Sequence, residues 1–182
     1  MHTHKIDIEH DINIYIYIYL SIMCRTDRIT TNLLESARSS QMNFRHGTII
    51  TKGSSVPIFR GCNSSRSKYM SYINYCQHAE MDVARKLHWL LSRKCDNDNQ
   101  IRRLIRKYII WVGRVSKMDN MTHSKPCKQC RIRLLRMGFK RIGYTDENGE
   151  IHLVNIDSIV ADNLSNCQRN LAGAAVSHKN LH

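Results

Sequence analysis

The amino-acid sequence predicts an α/β fold, in which a sheet packs against helices. Segments with apolar residues at helical spacing alternate with short runs of β-branched and aromatic residues, and this alternation is typical of the class. The last two strand-like runs, RIGYT and IHLVNI, are separated by the turn DENGE, which is too short for a crossover helix. We therefore expect these two strands to form an antiparallel hairpin. A length of 182 residues suits one domain with a buried core.

The start of the chain differs in composition from the rest. Its run INIYIYIYLSI (residues 12–22) alternates two apolar, β-prone residue types, so a strand formed by it has no polar face. We interpret residues 1–28 as an atypical N-terminal extension, which is either disordered or a strand without an assigned partner. Residues 29–160 are predicted to form the folded domain, and residues 161–182 a C-terminal tail.

The domain begins with a predicted helix and hairpin. The segment TNLLESARSSQM (residues 31–42) has a polar start and an apolar face, which predicts a short helix capped by Thr31 or Asn32. The runs RHGTIIT and VPIFRGCN are predicted strands, joined by a KGSS turn. Because a proline cannot donate to a strand ladder, Pro57 favours an edge position for the second strand.

The middle of the chain contains the clearest helix signal. Residues 79–94 place apolar side chains on one side at helical spacing, with charged positions opposite. The polar segment CDNDNQ (residues 95–100) is expected to end this helix, and a basic segment (residues 101–107) follows. The run YIIWVGRV (residues 108–115) is suited to a buried central strand.

A third helix is predicted just after a loop at residues 118–125. In PCKQCRIRLLRMG, proline is favoured at the first helical position and glycine at the C-terminal stop, so Pro126 and Gly138 are expected to bound the helix. The terminal hairpin then completes a predicted order of helix, two strands, helix, strand, helix and two strands.

Charge and cysteine content restrict the partners and the compartment. Lys and Arg total 28 against 15 acidic residues, giving a net charge of +13, and they concentrate in residues 102–107 and 128–141. Such a chain attracts nucleic acid or phosphorylated small molecules, although a merely solvated basic surface is an equal alternative. Seven irregularly spaced cysteines favour a reducing, intracellular compartment, cytoplasmic or nuclear. We recognise no targeting segment, and no apolar stretch suits a membrane helix.

Four residues suggest a catalytic metal site. A catalytic zinc has three protein ligands and an open fourth position, and His78, Cys127 and Cys130 supply that number. Cysteines three apart at a helix start lie on one face, where the positive end of the helix favours thiolates. Glu80 lies two residues from His78, so in a first helical turn it could stand beside the metal and transfer protons.

The motifs HAE and PCKQC resemble the signature of the zinc-dependent cytidine and deoxycytidylate deaminase superfamily. The resemblance implies a three-layer fold, with helices on both faces of a mixed five-stranded sheet. It implies Zn²⁺ held by His78, Cys127 and Cys130, with Glu80 as the proton carrier. GCN at residues 61–63 resembles a further family motif, so the superfamily implies that Asn63 contacts the sugar and the backbone N–H of Ala79 the base carbonyl.

The resemblance implies a hydrolytic deaminase that releases ammonia from a cytosine-type base. The predicted terminal hairpin is similar to deaminases of free cytidine, which favours a free nucleoside or nucleotide such as cytidine, deoxycytidine, CMP or dCMP. Deamination of a base within RNA or DNA and a non-catalytic zinc scaffold are the alternatives. Members of the superfamily often form dimers or tetramers, so a homo-oligomer is a further expectation.

Other interpretations of the same residues stay open. Cys127 and Cys130 could form a redox pair. A structural zinc would need a fourth protein ligand, for which Cys76 or His123 is available. We interpret His46 as an ordinary histidine without a functional role.

Overall fold

The computed structural model describes residues 24–65, 68–69, 72–73 and 77–160. The first 23 residues of the predicted extension (residues 1–28) and the predicted tail (residues 161–182) lie outside them. The helices of the described part are α1 (residues 24–38), α2 (Ala79–Ser92), α3 (Asp98–Ile105), α4 (Lys128–Met137) and a short 3₁₀ helix, Ile156–Ser158. The strands are β1 (Arg45–Thr51), β2 (Phe59–Cys62), β3 (Lys68–Tyr69), β4 (Tyr72–Ile73), β5 (Ile109–Val115), β6 (Met121–Thr122), β7 (Arg141–Thr145) and β8 (Ile151–Asn155).

One mixed sheet forms the centre of the described domain. Its strand order is β2-β1-β5-β7-β8, and the short strand β6 pairs with β5 as well. β5 and β7 are parallel, whereas β7 and β8 are antiparallel. The α/β class, the mixed sheet and the terminal antiparallel hairpin are therefore confirmed, and β6 adds a strand inside the predicted loop.

Helices cover both faces of this sheet, as the resemblance implied. Alternate residues of a strand point to opposite faces. Ile50, Ile110 and Ile142 belong to a core cluster with α2, α3 and α4, and Ile49 and Trp111 pack against α1 on the other face. Residues adjacent in β1 or β5 thus belong to different layers, which decides below which side chains can reach the candidate site.

The first helix begins earlier than predicted, and the cap at Thr31 or Asn32 is wrong. Residues 24–38 are helical. Ile29 is 2% exposed and lies one turn before the buried Leu33, so the apolar face continues past the polar residues that suggested a start. The boundary predicted at residue 28 falls inside this helix.

Helix α3 occupies part of the segment that was expected to be a break. Asn97 caps it by accepting a hydrogen bond from Gln100 N at 3.0 Å, and Ile101 and Ile105 are buried on its inner side. Only two of its eight residues are buried, and most of the residues around them are charged or polar. Two buried apolar residues are too few for helical spacing to be recognised in a sequence.

Two predicted boundaries around prolines are corrected. Pro126 precedes helix α4, because Cys127 is the N-cap in extended conformation, at φ −70° and ψ 162°. Pro57 likewise precedes strand β2, which starts at Phe59. The expected end of α4 is confirmed, since Gly138 closes it with φ 105°. No helix of the described residues is long and apolar enough to cross a membrane.

Candidate metal centre and catalytic site

The predicted ligands meet where two helices begin. His78 is the N-cap of α2 and Cys127 the N-cap of α4, and Cys130 lies in the first turn of α4. His78 Nδ1 is 3.1 Å from Cys130 Sγ and 3.6 Å from Cys127 Sγ. The three ligand atoms all lie within 4.8 Å of one another.

This group of atoms fits a zinc ion. Bonds of about 2.0 Å to nitrogen and about 2.3 Å to sulfur place tetrahedral ligands about 3.5–3.8 Å apart, close to the observed separations. Neither N-cap side chain makes the hydrogen bond to its helix that a cap usually makes. One imidazole and two sulfurs are also a ligand set that zinc prefers over harder cations.

The two thiols are joined by a hydrogen bond, which shifts their pKa values in opposite directions. A hydrogen bond from Cys130, assisted by His78, lowers the pKa of Cys127 from 9.0 to about 4. The hydrogen bond to Cys127, together with burial, raises the pKa of Cys130 well above its usual range. Of the two thiols, Cys127 is the one whose surroundings favour the thiolate form that binds a metal, and a bound cation favours the thiolate of Cys130 as well.

Glu80 brings a carboxyl group to the same place. It is the second residue of α2, is 5% exposed, and forms a hydrogen bond with the Cys130 side chain. Burial raises the pKa of its carboxyl group above the usual value of 4.5, and the nearby His78 opposes that rise. A carboxyl with a raised pKa can accept and return a proton more readily than one in water.

Hydrogen bonds to the sheet position the segment before Cys127. Ser124 Oγ lies 2.8 Å from Val112 O, 2.8 Å from Thr145 N and 2.8 Å from Thr145 Oγ1. Ser124 therefore joins this segment to β5 and β7. From the sequence it was expected only to be part of a loop, because a serine two residues before a proline is the sole local mark of its role.

The segment before His78 is held in a similar way. Gln77 exchanges backbone hydrogen bonds with Ser64, at 3.0 and 2.9 Å, and its side chain donates to Asp82 Oδ1 at 3.1 Å. The end of β2 and the start of α2 are thereby tied together. Two polar residues outside the ligand set thus orient both helix starts.

The two predicted substrate-binding residues, Ala79 and Asn63, have different surroundings in the structure. Ala79 is the first residue of α2, where a backbone N–H has no acceptor within the helix. Asn63 Oδ1 accepts from Ser40 Oγ at 2.6 Å and from His46 N at 2.9 Å, and Nδ2 donates to Phe44 O at 2.7 Å. Asn63 therefore braces the chain before β1, with one amide hydrogen left for a ligand. Contact of Ala79 with the base and of Asn63 with the sugar stays a prediction.

His46 lies nearer to the site than the sequence suggested. It is in β1, pairs in register with Arg114 of β5, and interacts electrostatically with both His78 and Cys127. Burial lowers the pKa of its imidazole from 6.5 to about 4, and the positive charge of Arg114 contributes to the shift. His46 is therefore neutral at physiological pH.

A basic groove of about 950 Å³ runs between α2 and α4, and its lining contains none of the three predicted ligands and not Glu80. Met81 and Gln129, which line one part of it, directly follow Glu80 and directly precede Cys130 in the chain. Four basic residues and one acidic residue also line the groove: Arg85, Lys86, Arg133, Arg136 and Asp82. Asp82 is paired with Lys86 at 2.7 Å, so the groove is positively charged.

A second group of potential ligands lies in the β7–β8 turn. Asp146, Glu150 and His152 offer atoms close enough for a cation. The Asp146 carboxylate already accepts backbone hydrogen bonds from Asn148 and Glu150, both at 2.9 Å, and pairs with His152 Nε2 at 2.9 Å. These contacts stabilise the β7–β8 turn, and they explain why the three side chains lie close together.

The chain matches no family model. It matches no curated protein. Among solved structures, a cytidine deaminase from Burkholderia pseudomallei aligns with 75% of this chain and 96% of its own, at 16% sequence identity and a TM-score of 0.49. A likeness of this size gives no information about activity, so any inference about function rests on the site itself.

Proposed function

We propose that this chain is a zinc-dependent hydrolytic deaminase, acting on the cytosine-type base of a free nucleoside or nucleotide. The observation that carries the proposal is the convergence of His78, Cys127 and Cys130 with the buried carboxyl of Glu80 at two helix starts. The net reaction replaces the amino group on a ring carbon by oxygen from water and releases ammonia.

Zinc, when held by these three ligands, acts as a Lewis acid that makes a water molecule a better nucleophile. Glu80 takes a proton from that water and delivers it to the ring nitrogen, and it then transfers the second proton to the departing amine. The two helix starts keep the ligand set and the carboxyl in one orientation. The N–H of Ala79 donates to the base carbonyl, and the free amide hydrogen of Asn63 is directed to the sugar.

The ligand count among the described residues fits a catalytic metal. A structural zinc site is closed by four protein ligands. Within the part of the chain that the structure describes, the ligand group contains His78, Cys127 and Cys130, and His123 does not belong to it. Cys76, the other predicted candidate for a fourth ligand, lies outside the described residues. A redox role for the cysteine pair gives no reason for a buried glutamate with a raised pKa beside it.

Ammonia release tests the proposal. The zinc-loaded protein is incubated with cytidine, deoxycytidine, CMP, dCMP and a cytosine-containing single strand. We expect release from a small molecule, and a fall in rate of at least about a hundredfold in Glu80→Gln, which keeps the shape of the side chain but cannot transfer the proton. Glu35→Gln, which changes an exposed carboxylate on α1 that pairs with Arg60, is the matched control with retained activity.

The opposite results are equally clear. If Glu80→Gln releases ammonia as fast as the wild type, Glu80 is not the proton carrier. If no substrate is turned over by protein that contains one zinc per chain, the deaminase proposal is wrong and a non-catalytic scaffold becomes the better account.

A second candidate is a deaminase that acts on single-stranded nucleic acid. The basic groove favours it, because four cations surround an apolar surface and Trp89, at its edge, is 62% exposed. Cations that follow the backbone and exposed aromatic rings that stack on bases are typical of single-strand binding. The alternative is that the basic residues only form a solvated surface. In that case the groove binds no nucleic acid.

Salt dependence separates these two interpretations. For a single strand in the groove, affinity should fall steeply as salt rises, because bound phosphates release counterions. The combined variant Arg133→Gln with Arg136→Gln should flatten that slope by about 1.4, at about 0.7 for each phosphate that is no longer bound. Arg28→Gln with Arg38→Gln, on the helix of the opposite face, serves as the control of equal charge. A slope that is unchanged in the groove variant would exclude the groove as the binding surface.

A further inference from the structure

Two polar side-chain atoms are buried without a hydrogen-bond partner among the described residues. They are Thr48 Oγ1 and Arg114 Nε. Buried polar groups in native proteins are nearly always hydrogen-bonded, so each exception calls for an explanation. Both atoms belong to neighbouring strands, because Thr48 pairs with Val112 and His46 pairs with Arg114.

Both atoms also lie on the side of the sheet that carries the metal centre. A side chain added at Gly113 would meet Leu33, and one added at Gly47 would meet the backbone of α1. The glycines therefore face α1, and their chain neighbours face the opposite layer. His46, Thr48 and Arg114 thus form a polar row on the face covered by α2 and α4.

Arg114 has an unusual environment for a guanidinium group. It is partly buried, and its guanidinium carbon lies 4.9 Å from the centre of the Phe44 ring. The neighbouring arginine on the other face, Arg45, donates to Ser116 O at 2.6 Å and pairs with Asp119 at 2.7 Å. Arg114 makes no such pair among the described residues.

Within the described ranges, no carboxylate forms an ion pair with Arg114. Withdrawing a cation from water is costly unless an anion or several hydrogen bonds compensate. An anionic ligand would provide that compensation.

We propose that Arg114, with His46 beside it, binds the phosphate group of the substrate, so that the substrate is a nucleotide and not a nucleoside. This inference rests on the proposed function and specifies its substrate class. The planar guanidinium matches two phosphate oxygens at once. His46 Nδ1 donates to Phe44 O at 3.2 Å, so Nε2 of the neutral ring can accept a hydrogen bond from a protonated phosphate oxygen. Asn63, the predicted sugar contact, is bonded to His46 through N···O at 3.1 Å, and thus lies next to the phosphate subsite.

The test measures binding separately from turnover. Calorimetry with the zinc-loaded Glu80→Gln protein, which keeps the ligand intact, compares CMP, cytidine and inorganic phosphate. We expect CMP to bind at least about tenfold more tightly than cytidine, since a charge-assisted hydrogen bond is among the strong ones. Adding Arg114→Gln should remove that difference and leave cytidine affinity unchanged, whereas adding Arg45→Gln should change neither.

Three further results decide the proposal. Equal affinity for CMP and cytidine in the parent protein, or an equal loss of both in Arg114→Gln, overturns it. If Arg114→Gln does not fold, Arg114→Lys keeps the charge without the planar fork, and unchanged preference for CMP in that variant overturns the two-oxygen contact. The zinc-loaded wild type could also bind phosphate, lose that binding in Arg114→Gln, and yet release no ammonia. That result would support the phosphate subsite and reject the deaminase function.

The source of the phosphate is distinguished in the same experiment. A short cytosine-containing single strand is titrated beside CMP. If Arg114→Gln weakens CMP at least as much as the strand, the phosphate belongs to a free nucleotide, as proposed. If it weakens the strand alone, the site binds a phosphodiester and the free-nucleotide substrate is wrong.

Discussion

At the residue scale, burial separates two carboxyl groups that the sequence places side by side. Glu80 and Asp82 share the first turn of α2. Glu80 is 5% exposed and carries a raised pKa, whereas Asp82 is paired with Lys86 at 2.7 Å. Because residues two apart point to different sides of a helix, only Glu80 reaches the ligand group. Burial therefore gives Glu80 alone the environment of a proton carrier.

His46 should make the protein less stable as the pH falls. Its pKa is about 4 in the folded chain against 6.5 when exposed. Between these two pH values the unfolded state is protonated at His46 and the folded state is not. The contribution of His46 to stability is therefore complete above about pH 6.5 and is lost between about pH 6.5 and about pH 4. The loss amounts to about 1–3 kcal/mol, since the ring is partly exposed.

Urea unfolding at about pH 7 and about pH 5 measures this contribution, with a chelator present so that metal release does not interfere. The free energy of unfolding should fall less with pH in His46→Gln than in the wild type. His88→Gln, on the groove side of α2, is the control. The same pH dependence in all three proteins would contradict the burial of His46.

The proximity of His78, Cys127 and Cys130 could be predicted from the sequence, whereas that of His46 and Arg114 could not. The motifs HAE and PCKQC combine residue types and spacings that suit one metal site, and the structure brings these three side chains together. His46 and Arg114 are 68 residues apart (114 − 46) and meet through the register of β1 and β5. No local pattern specifies that register, so His46 was interpreted as ordinary.

At the scale of elements, the end of α4 depends on one glycine. Gly138 has φ 105°, and a Cβ at this position would lie 2.8 Å from Arg102 O of α3. Gly138→Ala should therefore lower the free energy of unfolding by about 2–4 kcal/mol, combining an unfavourable backbone angle with a close contact. The urea midpoint is the measurement.

Gly53→Ala separates the two causes. Gly53 has φ +72°, but a Cβ there would have nothing within 4 Å, so only the backbone cost of about 1–2 kcal/mol applies. We expect Gly138→Ala to be clearly the more destabilising of the two. Equal losses would show that α3 does not pack closely against the end of α4.

Helix limits were predicted well where a residue of special geometry marks them. Gly138 ended α4 as expected, because glycine adopts a positive φ without strain. The start of α1 and the whole of α3 were missed, since packing of Ile29, Ile101 and Ile105 against the core determines them. Tertiary contacts of a few apolar residues are weak signals within a polar sequence.

At the scale of the whole molecule, metal binding should stabilise the fold. The ligands come from two helices that start on the same side of the sheet, so a bound ion joins α2 to α4. With zinc at about a hundredfold excess over its dissociation constant, the folded state gains about 2.7 kcal/mol, which raises the melting temperature by about 5–10 °C. Thermal unfolding with and without chelator measures the shift.

The corresponding cysteine variants provide the control. Cys130→Ser should unfold at a temperature that does not depend on zinc, because one of three ligands is absent. Cys95 lies outside the ligand group, and Cys95→Ser should keep the full shift. An identical zinc effect in Cys130→Ser and wild type would place the metal elsewhere in the chain.

The architecture as a whole followed from a few local features. The short turn between β7 and β8 predicted their antiparallel pairing, and the apolar run at residues 108–115 predicted the central strand β5. The net charge of +13 predicted attraction of anions but not its location. The structure is needed to distinguish two locations of positive charge, which are the basic groove and Arg114 near the end of β5.

The most direct test of the central claim is the absorption spectrum of the protein with Co²⁺ in place of zinc. We predict one cobalt per chain, bound tetrahedrally, with thiolate-to-metal charge transfer that falls by about half in Cys127→Ser and in Cys130→Ser. Addition of cyanide should change the spectrum, because the fourth position is open to small ligands. A spectrum without thiolate absorption, or one that neither cysteine variant alters, would contradict the metal centre and the function proposed from it.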